Sequence, residues 1–221
     1  MSARGQGRFF SRQRFAQAVW LKRGAEAELR RTEFLGRAAV EKFRVPKAYR
    51  LPALDEDLRR SRIRMEARLM AEARAAGVAV PVMYDVNLVD NKIVMEFVDG
   101  PTAKEVLDAG GPRARETARE IGRIAGRLHR AGIIHGDLTT SNMILRDGRI
   151  VMIDFSLGGK GGTAEERGVD LHLLREALTS AHKNAAGYYR EVLAGYREVL
   201  GDAASETIAK VKEIEGRGRY T

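Results

Sequence analysis

The chain has 221 residues, 44% of them hydrophobic and 31% charged, which excludes the disordered, collagen-like and membrane-spanning classes of protein. It has no cysteine, and this excludes disulfides, thiolate nucleophiles and zinc sites built from cysteine. Its net charge of +9 is N-terminal, because the first fifty residues hold 13 basic and 4 acidic side chains and the other 171 hold 26 of each. Contact with a polyanion and a solvated arginine-rich surface explain this excess equally well.

The N-terminal half begins with an extension and continues as a strand-rich region. Residues 1–15 carry arginines but no apolar stretch of a secretory signal, so we expect a flexible extension on a cytoplasmic protein. Short segments separated by turn-prone residues then predict five strands, over residues 16–22, 28–34, 37–43, 82–86 and 92–98. One long helix is predicted over residues 55–76, between Pro52 and Gly77.

The C-terminal half has a mostly helical pattern. Its predicted helices are one capped by Thr102, one opened by Pro112 that reaches residue 129, and two over residues 170–180 and 185–200. Between the second and third lie a polar loop and a hairpin that turns at Asp147-Gly148. This order is typical of an α+β, reduced bilobal kinase-like fold, with an N-lobe over residues 16–97 and a small C-lobe over residues 98–221.

The polar loop contains the motif that carries the functional prediction. His135-Gly136-Asp137-Leu138-Thr139-Thr140-Ser141-Asn142 has the form H-x-D-L-x-x-x-N, and Asp154 follows beyond the hairpin. Phosphoryl transfer needs one carboxylate at the acceptor and others at magnesium. The spacing therefore predicts a catalytic role for Asp137 and metal binding by Asp154. A plain polar turn, in which Asp and Asn cap backbone groups, is the weaker alternative because it leaves Asp154 unexplained.

A lysine on the third strand and a carboxylate on the long helix complete the expected phosphate site. Lys42, at the end of the segment RAAVEK in the third strand, is the candidate, while Lys47 lies beyond Pro46 in an expected loop. Glu66, central in the long helix beside Met65, Leu69 and Met70, which should face the sheet, is the candidate partner; Asp57 and Glu72 are its competitors. Gly24 and Ala25 would cover the phosphates, although this loop has one glycine and no G-x-G-x-x-G form.

Several segments together resemble the small atypical serine/threonine kinase subunit of the KEOPS complex, archaeal type. They run through nearly the whole chain from Gly24 and include GAEAELRR, PVMYDV, IVMEFVDGPT, HGDLTTSNMIL and VDLHLLREAL. The resemblance implies a kinase that binds ATP and magnesium and has no membrane contact. Its implied partners are the metal-containing subunit that transfers threonylcarbamoyl groups to tRNA adenosine, another small KEOPS subunit and tRNA itself. It implies protein phosphorylation, including of itself, or ATP hydrolysis that supports the tRNA modification.

The same resemblance implies a role for each matching residue. Lys42 would hold phosphates and Glu66 would pair with it, while residues 96–98, from Glu96 to Val98, would form the hinge at adenine. Asp137 would be the catalytic aspartate, with Asn142 and Asp154 as magnesium ligands. His135 would support the loop, and Asp170 would be the buried scaffold aspartate that opens the next helix.

The chain also departs from this family and from ordinary kinases. Ser156 stands where the family usually has glycine, directly after Phe155, and is itself a candidate phosphate acceptor. Only fifteen residues separate Asp154 from Asp170, without Ala-Pro-Glu, so we expect no peptide-docking platform. Self-phosphorylation or ATP hydrolysis is then favoured over broad peptide phosphorylation.

Two basic patches are candidate RNA contacts. One is a C-terminal tail with Arg217 and Arg219, for which a frayed terminus is the simpler interpretation. The other, beside the third strand, comprises Arg44, Lys47 and Arg50. Two other functions stay open: a small-molecule phosphotransferase, for which the second half is short, and a pseudokinase scaffold bridging complex subunits and tRNA.

Overall fold

Five antiparallel strands form the N-terminal sheet in the computed structural model, which describes residues 19–24 and 26–217. The strands are β1 (Val19–Arg23), β2 (Ala27–Phe34), β3 (Arg37–Arg44), β4 (Met83–Asn87) and β5 (Lys92–Glu96). Their order in the sheet is β1-β2-β3-β5-β4, which makes β3 the central strand. The predicted five-stranded sheet is confirmed, and the predicted extension, residues 1–15, lies outside the described residues.

The pleat of β3 determines which of its charged side chains are buried. Residues two apart on a strand share a face. Lys42 and Arg44 therefore point the same way, and they are 4% and 2% exposed. Glu41 is on the other face and pairs with Lys92 at 2.8 Å near solvent. The central strand thus carries two buried cations on one face.

The long helix α1 (Pro52–Ala75) lies against the sheet. Pro52 begins it, where the missing N–H of proline costs no helical hydrogen bond. Ile63, Leu69 and Met70 are buried at helical spacing, and Glu66 lies in the same buried stripe. The expectation that Met65 faces the sheet is wrong, because this side chain is 39% exposed.

Five helices make up most of the second half. They are α2 (Ala103–Ala109), α3 (Gly111–Arg130), α4 (Ala164–Ala181), α5 (Ala185–Leu200) and α6 (Ala203–Arg217). The Oγ1 of Thr102 accepts the Glu105 N–H at 3.2 Å, which confirms the predicted cap of α2. This half is therefore mostly helical, with the predicted polar loop and hairpin between α3 and α4, as expected for the α+β fold.

Two predictions for this half are wrong in their boundaries. Thr163 caps α4 through the Glu166 N–H, so the helix begins six residues before Asp170, which lies inside it. The C-terminal tail is helical as far as Arg217, because α6 packs its buried Ile208 and Val211 into the core. The T-x-x-E sequence of a capping box was the available signal for α4.

Helices α3 and α5 pack unusually closely. A Cβ atom on Gly122 of α3 would lie 1.9 Å from the Val192 carbonyl oxygen, and one on Gly195 of α5 would lie 1.9 Å from the Arg119 carbonyl oxygen. Each glycine therefore permits a backbone contact that any side chain would prevent.

Short strands hold the loop that lies between α3 and α4. Strand β6 (Ile133–Ile134) pairs with β9 (Gly159–Lys160), and β7 (Met143–Arg146) pairs with β8 (Arg149–Met152). One continuous apolar core runs from α1 through these strands to the C-terminal helices. Within the described ranges, no helix is both long enough and apolar enough to cross a bilayer.

Candidate active site

Lys42 is the centre of a buried ion cluster. Its Nζ donates to Glu66 Oε1 at 2.6 Å and to Asp154 Oδ1 at 2.7 Å. It also donates to Ser156 Oγ at 2.6 Å. Glu66 is 1% exposed, so this ion pair is shielded from water on the α1 side. The fold thus brings together β3, α1 and the segment after β8, up to 114 residues apart in sequence.

The competing candidates lie elsewhere. Lys47 is 3.8 Å from the carboxylate of Glu26, in the turn between β1 and β2. Glu72 accepts from Lys160 and from Arg68, each at 2.7 Å, and Asp57 is exposed. It is Lys42 that the structure places against Glu66.

Arg44 is a member of this cluster, and its assignment as an RNA contact is wrong. Its Nη2 donates to Glu66 Oε2 at 2.6 Å, so the two oxygens of Glu66 bind two different cations. At 2% exposure, the guanidinium cannot reach a phosphate backbone at the protein surface. Sequence reasoning missed the contact, although the spacing of Arg44 from Lys42 along the strand was a usable signal.

Asp154 adopts an unusual backbone conformation at the entrance of the cluster. Its φ of 62° lies in the left-handed region, which aspartate tolerates better than most residues. The Ser156 N–H donates to its Oδ1 at 3.2 Å, and the Ser156 hydroxyl donates to the same oxygen. Burial raises the pKa of Asp154, but the adjacent Lys42 charge and these hydrogen bonds outweigh it and hold the pKa well below its usual range. The carboxylate is therefore ionised.

The catalytic-loop motif is held as a compact turn beside this cluster. Asn142 Nδ2 donates to the Asp137 carbonyl at 3.0 Å and to Asp137 Oδ2 at 2.8 Å. The Ile153 N–H donates to the Asn142 carbonyl at 2.9 Å, which connects the turn to the residue before Asp154. Leu138 and Met143 are fully buried and anchor the loop. Asp137, Asn142 and Asp154 are therefore brought close together.

Asp170, on α4, anchors the start of the loop from His135 to Asn142. It is fully buried, and its two oxygens accept the His135 N–H at 2.7 Å and the Gly136 N–H at 2.8 Å. His129 Nε2 lies 3.2 Å from Oδ2. Burial raises the pKa of Asp170, but the His129 contact and the backbone hydrogen bond outweigh it and lower the pKa. Asp170 is ionised and holds the loop backbone, inside α4 rather than at its start.

Gly136 permits the close contact between this loop and the segment after Asp154. Its φ is +76°, and a Cβ atom there would lie 2.2 Å from the Leu157 carbonyl oxygen. His135 precedes it, is fully buried and packs its ring on Phe155 at a centroid distance of 4.6 Å. Burial lowers the pKa of His135. A neutral, enclosed imidazole supports the loop and has no access to a reacting group.

A cleft runs beside the ion cluster and consists of two adjoining cavities. Leu29, Lys42 and Asp154 line both of them. The first, of about 280 Å³, lies at the segment that joins the two halves. Its lining includes Val40, Met95, Phe97, Val98, Asn142, Ile144 and Ile153. The second has a volume of about 250 Å³, and its lining includes Gly24, Arg44, Asp137 and Ser156.

The predicted hinge lies in the first cavity. The Glu96 carboxylate accepts from the Val82 N–H at 3.1 Å and also pairs with Arg146, so it is engaged outside the cleft. Within the described ranges, the Val98 N–H has no backbone partner. The hinge therefore offers backbone groups between apolar walls, which suits a flat heteroaromatic ring.

The loop above the second cavity is short. Gly24 lines the cavity and its N–H donates to the Ala27 carbonyl at 3.0 Å, while Ala25, the other predicted phosphate contact, lies outside the described residues. Glu26 at the tip pairs with Arg62 on α1. The loop is thereby tied to the same helix that holds Glu66.

The oxygen donors of the site suit magnesium. Asp154 supplies a carboxylate that is 38% exposed, and the amide nitrogen of Asn142 is bonded to Asp137, which leaves its oxygen for a metal. Across the described residues, no group of three or more His, Cys, Asp or Glu side chains is arranged to hold a metal by itself. Few protein ligands completed by substrate phosphates are the usual arrangement for magnesium.

The other candidate RNA contacts that the structure describes each lie near a carboxylate. Lys47 is 15% exposed beside Glu26, and Arg50 is 20% exposed and 3.4 Å from Asp55. Arg217 is 64% exposed at the end of α6 and 2.9 Å from Glu165. Arg219 lies outside the described residues.

Comparisons with known proteins agree with this geometry. The RIO domain family matches residues 55–157. The KEOPS complex subunit Bud32 of Pyrococcus abyssi is 44% identical over 209 residues, which cover 90% of this chain and 95% of that protein. The chain belongs to the Bud32 family. A probable serine/threonine-protein kinase BUD32 homolog of Archaeoglobus fulgidus is 41% identical over 89% of the chain and 94% of its own length.

Another relative is a longer protein. A probable bifunctional tRNA threonylcarbamoyladenosine biosynthesis protein of Methanobrevibacter smithii is 42% identical over 202 residues, or 91% of this chain. The chain spans 36% of the length of that relative. The resemblance drawn from the motifs and the kinase-like fold class are both confirmed.

Proposed function

We propose that the chain catalyses ATP-dependent phosphoryl transfer, as a kinase of itself or a partner or as an ATPase. The observation that carries the proposal is the convergence of the buried Lys42–Glu66 pair, at 2.6 Å, with Asp154 and the Asp137–Asn142 turn around one cleft. A phosphoryl-transfer enzyme needs these groups in this arrangement. An ordinary structural ion pair between Lys42 and Glu66 would not need Asp137, Asn142 and Asp154 beside it.

In this proposal the two cavities receive the two ends of the nucleotide. Adenine enters the first cavity, between Leu29 and Val40 above and Ile144 and Ile153 below, with the backbone at Val98 as its hydrogen-bonding edge. The triphosphate extends into the second cavity, where Gly24 lies above it. Lys42, whose position Glu66 fixes, binds the phosphates.

Asn142 and Asp154 would hold magnesium through side-chain oxygens. When bound, magnesium supplies positive charge that offsets the charge of the phosphates. The contacts of Asp154 with Lys42 and Ser156 use Oδ1, so its Oδ2 would be the oxygen offered to the ion. Because Asp154 is ionised, it would hold the ion without first losing a proton.

Asp137 orients the acceptor, a serine or threonine hydroxyl or a water molecule. Its Oδ2 is held by Asn142, which fixes the carboxylate beside the second cavity. His135 is enclosed and takes no part in proton transfer. Only residues 155–163 separate Asp154 from α4, which leaves no platform for a peptide. This favours self-phosphorylation or ATP hydrolysis.

The proposed partners rest on the names of the relatives. Because the Pyrococcus relative is a KEOPS complex subunit and the Methanobrevibacter relative is a tRNA threonylcarbamoyladenosine biosynthesis protein, we propose that this chain supports the same tRNA modification. It would do so beside the threonylcarbamoyl-transferase subunit and another small KEOPS subunit, with tRNA as a contact.

The test is incubation of the purified chain with magnesium and γ-labelled ATP, followed by counting label in protein and in free phosphate. Asp154→Ala and Asp137→Asn are expected to lose the signal, and Asp57→Asn, which changes an exposed carboxylate on α1, is expected to keep it. Labelled protein indicates a kinase, and free phosphate alone indicates an ATPase. If wild type never exceeds the two site variants, even with the transferase subunit and tRNA added, the chain is a scaffold and the proposal fails.

A further inference from the structure

Glu66 binds two buried cations, Lys42 and Arg44, and the proposed phosphoryl transfer gives a role only to Lys42. Lys42 occupies Oε1 and Arg44 occupies Oε2, each at 2.6 Å. Arg44 also lines the second cavity beside Asp137 and Asp154. Its Nε is buried and has no hydrogen-bond partner in the part of the chain that the structure describes.

The charges of the cluster show what Arg44 changes. Lys42 and Arg44 carry two positive charges, and Glu66 and Asp154 carry two negative charges, so the cluster as it stands is neutral. With Asp154 counted as the residue that would hold magnesium, the other three residues have a net charge of +1 at the wall of the cavity. A Lys42–Glu66 pair alone would be neutral there and would attract phosphates less.

Arg44 also secures Glu66 while Lys42 changes partners. A buried carboxylate that loses its only cation pays a desolvation penalty and can rotate. With Arg44 on Oε2, Glu66 keeps one charge-assisted hydrogen bond when Lys42 turns toward phosphate. The guanidinium suits this role because it is planar and presents its donors in a fixed geometry that matches a carboxylate.

We propose that Arg44 is a positioning residue of the nucleotide site, which leaves the charge of Lys42 available to the phosphates by neutralising Glu66. This inference rests on the proposed function, since it concerns the same cleft. It assigns to Arg44 an effect on the phosphate part of the ligand alone. A merely structural ion pair would instead affect all ligands of the cleft equally, or none.

Two variants that keep a donor for Glu66 separate charge from shape. Arg44→Gln loses the charge and Arg44→Lys keeps it. Dissociation constants for ATP, ADP and adenosine are measured by calorimetry, each below the melting temperature of the variant. Arg59→Met is the control, because Arg59 pairs with Asp55 at 2.8 Å on α1 and does not line either cavity.

We expect Arg44→Gln to weaken ATP and ADP binding by about tenfold, as for loss of one charge-assisted interaction, with adenosine changed by less than about twofold. Arg44→Lys and Arg59→Met are expected to stay within about threefold of wild type for all three ligands. If Arg44→Gln does not fold, Arg44→Met replaces it with the same expectation.

Other outcomes overturn the inference. Equal weakening of ATP and adenosine by Arg44→Gln would make Arg44 structural, and unchanged ATP affinity would make it dispensable. Similar losses in the glutamine and lysine variants would exclude the charge argument. If wild type binds ATP, these results contradict only the role of Arg44 and not the proposed function. If wild type binds no ATP, both the proposed function and the role of Arg44 are wrong.

Discussion

Asp170→Asn tests how the loop from His135 to Asn142 is held. The carboxylate accepts the N–H groups of His135 and Gly136 at 2.7 and 2.8 Å and lies 3.2 Å from His129 Nε2. An asparagine has one acceptor oxygen, so its NH₂ group must face an N–H donor, and at least one bond is lost inside a fully buried site.

The expected loss follows from these contacts. Hydrogen bonds to a charged group contribute about 1.5–3 kcal/mol each, and disrupting a buried charged network costs about 3–5 kcal/mol. We therefore expect Asp170→Asn to lower the free energy of unfolding by about 2–5 kcal/mol. For a chain of this size that corresponds to a melting temperature lower by about 5–15 °C.

The pH dependence has a defined sign. Because the pKa of Asp170 is lowered in the folded state, its stabilisation is fully present above the unfolded pKa of about 3.9 and is lost as pH falls through the folded pKa. The difference between wild type and Asp170→Asn in urea unfolding should therefore be constant from pH 6 to pH 8 and shrink in acid.

Circular dichroism melts and urea unfolding measure both effects, with Asp57→Asn as the control for an exposed aspartate. A melting temperature within about 2 °C of wild type would contradict the reasoning, because it would mean that the loop does not depend on the Asp170 charge.

The remaining predictions concern packing and a buried hydroxyl. Gly122→Ala should lower the free energy of unfolding in urea by about 3 kcal/mol or more, since its Cβ would lie 1.9 Å from the Val192 carbonyl oxygen. Gly216→Ala in α6 is the control, and it should be neutral or slightly stabilising because the space around Gly216 is open. Comparable losses in the two alanine variants would contradict the packing argument. Tyr189→Phe should not lower the melting temperature at pH 7, because the Tyr189 hydroxyl is buried without a hydrogen-bond partner among the described residues. Burial raises the pKa of Tyr189 to about 12, whereas the unfolded side chain ionises near pH 10, so wild type should lose stability as the pH rises from about 10 toward 12. The phenylalanine variant should lose less stability over that interval, and equal losses would contradict the raised pKa of Tyr189.

The sequence determined the parts of this protein that depend on local spacing. The motif from His135 to Asn142, with Asp154 after a hairpin, lies in one short segment, and short-range patterns of charged and apolar residues identify such a segment directly. The α+β order and the Thr102 cap have the same local origin. Choosing Lys42 over Lys47 also needed only the position of Pro46.

Only the tertiary structure decided which charged side chains are buried. Arg44, like any arginine on a strand, is expected to lie at the surface, and it is enclosed because α1 presents Glu66 to that face of β3. The contacts of Ser156 and Asp154 with Lys42 join segments more than a hundred residues apart, beyond the reach of any local pattern. Likewise, α6 is a helix up to Arg217 because Ile208 and Val211 are buried by packing, which its many charged residues do not reveal.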